Sequence, residues 1–311
     1  MRLFDLLIAG EINPDLILSG NVTPEFGQVE KLVDSAALTI GSSSAIFACG
    51  AARLGLKVAF IGVCGDDVFG RFMLDQMKKR SVDVSHVIVR KEGQTGLSVI
   101  LNQPFDYAQG DRAILTHPGL IAELQASDIA DDLLRQSKHI HVASYFLQTK
   151  LQSDLPALFK RAHALGLSTS LDTNYDPSEK WLGFDELLSV TNVFLPNEAE
   201  AKSLAGAENV EEAASRLGSK VEALAIKLGK AGALGMFGSR KVQSESIPVK
   251  VVDTVGAGDS FDAGFIYGYL NNWELEKSLR LACVCGALST QRAGGTDGQP
   301  RLEQAMKYLV A

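Results

Sequence analysis

The chain has 311 residues, of which 46% are hydrophobic and 22% are charged, and its formal net charge is −7. This length predicts one large α/β domain with an appendage, or two domains, and a core of that size needs no disulfide or metal to be stable. The acidic balance, without a basic stripe, argues against nucleic acids and anionic membranes as partners.

Segments typical of strands and helices alternate along most of the chain. Buried strands are predicted at 4–10, 57–65, 139–144, 167–172, 192–197 and 221–229, and helices at 44–55, 69–80, 155–166 and 198–206. Strands separated by helical patterns indicate βαβ units, and therefore a mostly parallel sheet with both faces covered. The predicted fold class is α/β, a doubly wound, three-layer arrangement of the Rossmann type.

Two segments, 16–41 and 93–119, interrupt this alternation with short alternating stretches and many turn residues. They are predicted to form exposed strands outside the main sheet. Open α/β sheets bind ligands beyond the carboxyl ends of their strands, so a small sheet placed there would act as a lid. We expect a single domain over 1–311, with a small β-sheet lid formed by about 13–40 and 93–117.

A short glycine turn stands between a strand-like run and an apolar helical run in the sequence VVDTVGAGDSFDAGF (251–265). Gly256, Ala257 and Gly258 let the backbone approach a ligand closely. Backbone N–H groups at a helix amino terminus form an anion site. Asp259 beside them can accept a proton from an incoming hydroxyl. The alternative is an ordinary helix cap after a tight turn.

Three motifs together resemble those of the ribokinase-like (PfkB-type) carbohydrate kinases. The first is the D-T-x-G-A-G-D-x-F signature at 253–261, the second is a G-x-x-G-x-D-x-x-G pattern at 62–70, and the third is N-x-x-E at Asn197 and Glu200. They occur in the family's order and span most of the chain. That family also has a doubly wound α/β domain with a small β lid.

The resemblance implies a catalytic apparatus for phosphoryl transfer from ATP. Asp259 would be the base, and the backbone N–H groups of Gly256, Ala257, Gly258 and Asp259 would stabilise the transferring phosphoryl group. Asn197 and Glu200 would hold Mg²⁺ through its waters. A capping box at the start of a helix explains the same pair equally well.

The nucleotide and a second cation are assigned by the same resemblance. The segment 225–235 resembles the family's nucleotide segment, which places Lys227, Gly229 and Gly232 near the ATP phosphates and ribose, although a plain β-turn-β connection would also fit. Thr254 belongs to the same signature, and Cys283 lies on the helix that would contact adenine. Asp253 and the loop 292–298 match the region where many members hold a monovalent cation such as K⁺.

The sugar side is assigned to residues from several segments. Asn13 and Asp15 match positions that hydrogen-bond sugar hydroxyls, and a carboxylate is a good acceptor for two adjacent hydroxyls; an Asx turn before Pro14 is the alternative. The turn at Gly41, Ser42 and Ser43 keeps part of the family's close backbone approach, but Ile46 replaces a sugar-reading asparagine. Asp172 and Asn174 would reach the pocket or shape its floor.

The stretch 171–181 resembles a segment of 2-keto-3-deoxygluconate kinases, in which an arginine stands where this chain has Asp176. A carboxylate at that position would repel an acidic sugar. The lid segments also show no cluster of Arg or Lys for a phosphosugar. We therefore expect a kinase for a small neutral sugar or polyol.

Other functions stay open at this point. A nucleoside kinase of the same superfamily is the closest alternative, and a non-catalytic nucleotide- or sugar-binding sensor is the alternative of another class. A dinucleotide-dependent dehydrogenase is disfavoured because no G-x-G-x-x-G follows the first strand. Exposed lid strands need cover, which predicts a homodimer that pairs through the lid.

The sequence also predicts a cytoplasmic protein. No run approaches the roughly 20 apolar residues of a membrane helix, and Asp5 interrupts the apolar stretch at the amino terminus where a signal peptide would need its core. The four cysteines form no C-x-x-C pair and are typical of small buried hydrophobes in a reducing compartment.

Overall fold

The computed structural model describes residues 2–103, 112–176 and 178–309. The predicted lid segment 93–117 therefore lies partly outside the described residues. The strands are β1 Phe4–Ala9, β2 Pro14–Ser19, β3 Ser35–Ile40, β4 Val58–Ile61, β5 Val63–Gly65, β6 Val82–Asp83, β7 Ile88–Arg90, β8 Leu97–Asn102, β9 Arg112–His117, β10 Ser137–Val142, β11 Ser168–Leu171, β12 Val193–Phe194, β13 Ala223–Lys227, β14 Ala233–Phe237 and β15 Arg240–Ser244. The α-helices are α1 Ser43–Arg53, α2 Val68–Lys79, α3 Asp131–Arg135, α4 Thr149–Gln152, α5 Leu155–Ala164, α6 Phe184–Ser189, α7 Glu198–Ala205, α8 Val210–Gly218, α9 Ala257–Leu270, α10 Leu275–Ser289 and α11 Leu302–Met306.

The main sheet has the strand order β15-β14-β13-β12-β11-β10-β1-β4-β6. Pairing is parallel from β13 to β6, and β14 and β15 extend the sheet by antiparallel pairing. The prediction of a mostly parallel sheet is therefore confirmed. Because the parallel strands share one direction, their carboxyl ends meet at the same edge.

Both faces of the main sheet are buried, as β1 illustrates. Leu6 and Ile8 belong to one buried hydrophobic cluster, together with residues of α1, α9 and α10. Leu7 and Ala9 belong to the other, together with residues of α5, α7 and α8. Successive side chains of a strand point to opposite faces, so a continuous apolar run indicates a strand covered on both sides.

A second sheet is built from the two predicted lid segments, with the order β3-β2-β8-β9. Its outer pairs are antiparallel and its central pair, β2 with β8, is parallel. Its edge strands are largely exposed, and they carry Leu38, Ile114 and Leu115 at 38%, 52% and 62% exposure.

The 62–70 motif forms the junction between the two sheets. The predicted strand 57–65 is divided at Gly62, where a side chain would approach the Gly10 carbonyl oxygen to 2.4 Å, and its second half, β5, pairs with β7 outside the main sheet. Asp67 then caps α2 by accepting from the Gly70 N–H and also accepts from the Thr95 N–H, just before β8. The motif therefore ties the start of α2 to the base of the second sheet.

None of the helices in the described ranges is long and apolar enough to cross a membrane.

Candidate active site

The residues of the site come from the carboxyl edge of the main sheet and from two helix amino termini. Glu11 follows β1, Asp172 follows β11, and Lys227 ends β13. The first turns of α1 and α9 contribute Ser43 and Asp259. The contacts below show which of these groups meet.

The glycine turn places the amino end of α9 against a neighbouring loop. Gly256 caps the helix with a φ of 71°, and a Cβ there would lie 2.7 Å from the Gly295 Cα, so the position requires glycine. The carboxylate of Asp253 accepts from the Val255 N–H at 3.0 Å and from the Gly294 N–H at 2.8 Å. Asp253 thus joins the turn to the 292–298 loop.

The helix that follows is 14 residues long, so its amino end carries the positive end of a full helix dipole. Among the described contacts, the backbone N–H groups of Gly258 and Asp259 have no acceptor. These groups and the dipole suit an anion.

Asp259 lies at this helix start, partly exposed to the cleft. Withdrawal from water raises the pKa of Asp259 to about 8; the nearby carboxylates of Asp172 and Glu11 add to this, while Lys227 and a hydrogen bond with the Ser43 side chain oppose it. The predicted base and the predicted Ser43 are therefore in direct contact.

Lys227 lies in a buried ion cluster. Its Nζ donates to Asp172 Oδ1 at 3.0 Å and to both carboxylate oxygens of Asp262, at 3.2 and 3.0 Å. Burial by itself would lower the pKa of Lys227, but Asp172 and Asp262 outweigh it and raise the pKa. The donors of this side chain are therefore engaged within the fold, and its place near the ATP phosphates and ribose stays a prediction.

Two members of the site were missed from the sequence. Asp262 stands three residues after Asp259 on the same face of α9, and that spacing was the available signal. Glu11 is a buried carboxylate directly after β1; it accepts from the Ser44 N–H and hydroxyl at 3.2 and 2.5 Å and from the Ser144 hydroxyl at 3.0 Å. A carboxylate at the end of a buried strand could have indicated it.

The turn before α1 is held by the backbone of the same residue, Glu11. Ser42 has a φ of 65°, unusual for a residue other than glycine, and its hydroxyl donates to the Glu11 carbonyl oxygen and accepts from the Ala45 N–H. Ser42 is therefore the cap of α1. This places Ser43 at the helix start, where it meets Asp259.

The predicted sugar-binding pair forms a buried cluster at the base of the second sheet. Asn13 Nδ2 lies 3.4 Å from Asp15 Oδ1 and 3.3 Å from Ser98 Oγ. Gly41 makes room for this carboxylate, since a Cβ there would lie 2.1 Å from Asp15 Oδ1. Burial raises the pKa of Asp15 to about 7; Arg112 opposes the rise, and Asp253 adds to it.

Asn197 and Glu200 form a complete capping box at the start of α7. Asn197 Oδ1 accepts from the Glu200 N–H at 3.0 Å, and Glu200 Oε2 accepts from the Asn197 N–H at 2.9 Å and from the Thr173 hydroxyl at 3.0 Å. Burial, reinforced by Asp172, raises the pKa of Glu200 to about 7. Glu200 Oε1 has no partner among the described contacts, so the pair can cap the helix and still offer a hard oxygen to a magnesium-bound water.

The remaining residues that were predicted near the nucleotide fall into two groups. Gly232 has a φ of 95° and a hypothetical Cβ only 2.0 Å from the Ser244 carbonyl oxygen, while Gly229 has a φ of 58°; both shape the turn between β13 and β14. Cys283 is buried, and its thiol lies 3.6 Å from the same Ser244 oxygen. The Cys283 thiol is thus engaged within the fold, and a contact of this part of α10 with adenine stays a prediction.

The side chains of the 172–176 segment are bound largely within their own loop. Asn174 accepts from the Phe146 N–H and donates to the Tyr175 carbonyl oxygen, and Asp176 accepts from the N–H groups of Ser178, Lys180 and Trp181. Both side chains stabilise the loop. The roles assigned to them at the sugar stay predictions. Thr254 is exposed at the glycine turn.

Comparisons with known proteins identify the class. The sequence matches the model of the pfkB family carbohydrate kinases over residues 6–302. An uncharacterized sugar kinase of Archaeoglobus fulgidus is 35% identical over 254 residues, covering 81% of this chain and 98% of the relative. A ribokinase of Arabidopsis thaliana, solved with ribose and ATP, shares the fold at a TM-score of 0.85 and 23% identity, with 99% of each chain covered. Adenosine kinase from Sinorhizobium meliloti also has a TM-score of 0.85 and 23% identity, with 98% of this chain and 99% of that chain covered.

The chain therefore belongs to the pfkB family of carbohydrate kinases. It is an ATP-dependent sugar kinase with a ribokinase-like fold, as the sequence predicted.

Replacing Asp259 with Asn should lower kcat by about 1,000-fold, because it removes the proton acceptor and leaves the shape of the site intact. Affinity for ATP should change little, and calorimetry with a non-hydrolysable ATP analogue measures it. Because the pKa of Asp259 is raised from 3.8 to about 8, the wild type loses stability as the pH rises between these two values. The variant should therefore unfold at a higher temperature than the wild type, with a difference that grows across this range and is complete above about pH 8. A variant that turns over as fast as the wild type would refute the assignment of the base.

The same raised pKa predicts a pH dependence of catalysis. Only ionised Asp259 accepts a proton, so kcat/KM for a neutral sugar should rise with pH, reach half of its maximum near pH 8, and fall about tenfold per pH unit well below that. A pH–rate profile at saturating ATP measures this. A half-maximum below pH 6 would contradict the account of this carboxylate.

Proposed function

We propose that this kinase phosphorylates a hydroxyl of a small neutral sugar or polyol, with Asp259 as the base. The observation that carries the proposal is the position of Asp259 in the first turn of α9, beside the bare glycine turn and in contact with Ser43. In this proposal a sugar hydroxyl gives its proton to Asp259 as its oxygen attacks the γ-phosphorus of ATP, and the bond from that phosphorus to the β,γ-bridging oxygen breaks to release ADP. The N–H groups of Gly256, Ala257, Gly258 and Asp259 stabilise the negative charge on the transferring group.

The charges around the sugar side support a neutral substrate. Glu11, Asp15 and Asp259 lie close enough for the first to raise the pKa of the other two. Lys227 is bound by two carboxylates, and Arg112 acts on Asp15. A carboxylate or phosphate on the sugar would meet mostly negative charge here. The preference for a neutral sugar is therefore still proposed, and it now rests on these residues and not on Asp176.

Cations complete the proposed chemistry. Asn197 and Glu200 would hold Mg²⁺ through its waters, and the bound ion neutralises charge on the ATP phosphates. K⁺ is proposed near Asp253, where the glycine turn meets the 292–298 loop. Gly229, Gly232 and Thr254 would line the nucleotide, and Asp172 would lie behind the base.

The second sheet is proposed to close over the sugar and exclude water, which limits hydrolysis of ATP. Its exposed edges and the apolar side chains of Leu38, Ile114 and Leu115 support a homodimer that pairs through this sheet. Light scattering at micromolar concentration tests this, and a monomer would count against it. Within this proposal the protein works in the cytoplasm.

Two alternatives to a sugar kinase remain, a nucleoside kinase and a non-catalytic sensor. Adenosine kinase has the same fold at a TM-score equal to that of the ribokinase, so the fold by itself does not select between a sugar and a nucleoside. A non-catalytic sensor is disfavoured because the glycine turn and Asp259 are intact.

A substrate panel tests the proposal directly. Formation of ADP is followed with ATP, Mg²⁺ and, in separate reactions, neutral pentoses, hexoses and polyols, sugar acids, sugar phosphates and nucleosides. We expect a neutral sugar to give the highest kcat/KM, since the acidic pocket disfavours anions. A nucleoside with the highest value would support the superfamily alternative, and ATP binding without turnover on any acceptor would support the sensor.

Asp15→Asn provides the matched test of the sugar side. Loss of a charged acceptor for sugar hydroxyls should lower kcat/KM for the sugar by about 10- to 100-fold, with KM for ATP within about threefold of wild type. Glu303→Gln, which changes an exposed carboxylate on α11, serves as the control and should leave both values unchanged. An equal loss in both variants would argue against Asp15 as a sugar ligand.

A further inference from the structure

Three carboxyl groups converge beneath the amino end of α9. One oxygen from each of Asp172, Asp259 and Asp262 lies within 4.8 Å of the others. Asp262 and Asp172 are buried, with side chains 1% and 6% exposed, whereas Asp259 is partly exposed to the cleft. Like charges this close cannot all ionise without a positive partner.

Lys227 is that partner. Its Nζ lies 3.0 Å from Asp172 Oδ1 and 3.0 Å from Asp262 Oδ2, and its side chain is only 13% exposed. An ammonium group has three donors, and the two carboxylates already engage them within the cluster. To reach a phosphate, Lys227 would have to break buried ion pairs, which is costly in a site shielded from water.

Backbone contacts fix the position of the Lys227 Cα, from which this side chain extends. The Lys227 N–H donates to the Pro196 carbonyl oxygen at 3.0 Å, and Lys227 pairs with Asn197 as an isolated parallel bridge. At the other end, the side chain reaches the first turn of α9, where a Cβ on Gly258 would lie 3.7 Å from Nζ, in ordinary van der Waals contact. The lysine therefore spans from the end of β13 to the first turn of α9.

The groups that face Asp259 come from every neighbouring element. Glu11 follows β1, Ser43 begins α1, Asp172 follows β11, and Lys227 ends β13. Asp262 lies on α9 itself and also interacts with Asp259. Lys227 is the one positive side chain among these neighbours in the described part of the chain.

We propose that Lys227 and Asp262 are positioning residues for the phosphoryl-transfer reaction. Lys227 holds the carboxylates of Asp172 and Asp262 in place behind the helix start, so that Asp259 alone of the three faces the substrate. The pair thus acts through Asp259 and makes no contact with ATP. This inference rests on the proposed role of Asp259 as the base.

Two other roles for Lys227 make different predictions. A ligand of the ATP phosphates, as the sequence suggested, would affect ATP affinity. A purely structural ion pair would affect stability and leave the turnover of the folded enzyme unchanged. A positioning residue would affect kcat at temperatures where the variant is fully folded.

The test compares Lys227→Met, Asp262→Asn and the double variant with wild type, using the best acceptor from the panel. We expect Lys227→Met to lower kcat by about 30-fold or more, with KM for ATP within about threefold. Calorimetry with a non-hydrolysable ATP analogue and Mg²⁺ checks the affinity independently. Lys160→Met, which removes an exposed lysine paired with Glu186, is the control and should leave kcat unchanged.

The double variant separates the three possible roles of Lys227 most clearly. Removing Asp262 as well as Lys227 deletes one of the two charges that the lysine neutralised, so kcat should recover by about fivefold or more over Lys227→Met. Lack of recovery, with a tenfold rise in KM for ATP in Lys227→Met, would identify a phosphate ligand and overturn the inference. A lower unfolding temperature with unchanged kcat would identify a structural pair and overturn it equally.

Asp259→Asn separates this inference from the proposed function. If Asp259→Asn is inactive while Lys227→Met keeps the wild-type kcat, the positioning role fails and the base stands. If Asp259→Asn is active, the base assignment itself fails.

Discussion

Negative charge gathered at one edge of a parallel sheet is the constraint on which this site depends. Parallel strands deliver their following residues to a common edge, and here those residues, with the start of α9, include Glu11, Asp172, Asp259 and Asp262. Such a cluster is stable only if positive charge lies close by. The structure supplies it in two forms, the amine of Lys227 and the dipole at the amino end of α9. The dipole at this helix start also suits an anion such as a phosphate.

Close backbone approach is the second requirement. Gly256 packs against Gly295, Gly41 packs against the Asp15 side chain, and Gly232 packs against the carbonyl oxygen of Ser244. At each of these positions a Cβ would collide with the neighbouring segment, which would have to shift. Glycines thus set the distances between the helix start, the sugar side and the nucleotide side before any ligand is present.

Sequence patterns predicted the backbone well and some side chains poorly. The main sheet, the second sheet and the glycine turn all follow from apolar periodicity and turn residues, which are local properties of the chain. The sequence did not indicate the partners of Lys227, Cys283, Asn174 and Asp176, whose side chains bind neighbours in the fold. Glu11 and Asp262 were missed for the converse reason: neither stands in a signature, yet the fold directs both into the cluster. Position along a motif fixes where a Cα lies, whereas side-chain direction depends on partners far away in sequence.

By itself, the sequence determined the fold class, the family and the identity of the turn that begins α9, because these depend on local periodicity and on glycines within one short stretch. Only the tertiary structure decided how charge is distributed in the site. Ion pairs between residues separated by 35 and 55 positions, as for Lys227 with Asp262 and Asp172, form when strands and helices pack together. The energy of a charge depends on every neighbour and on its access to water, and those are properties of the packed molecule.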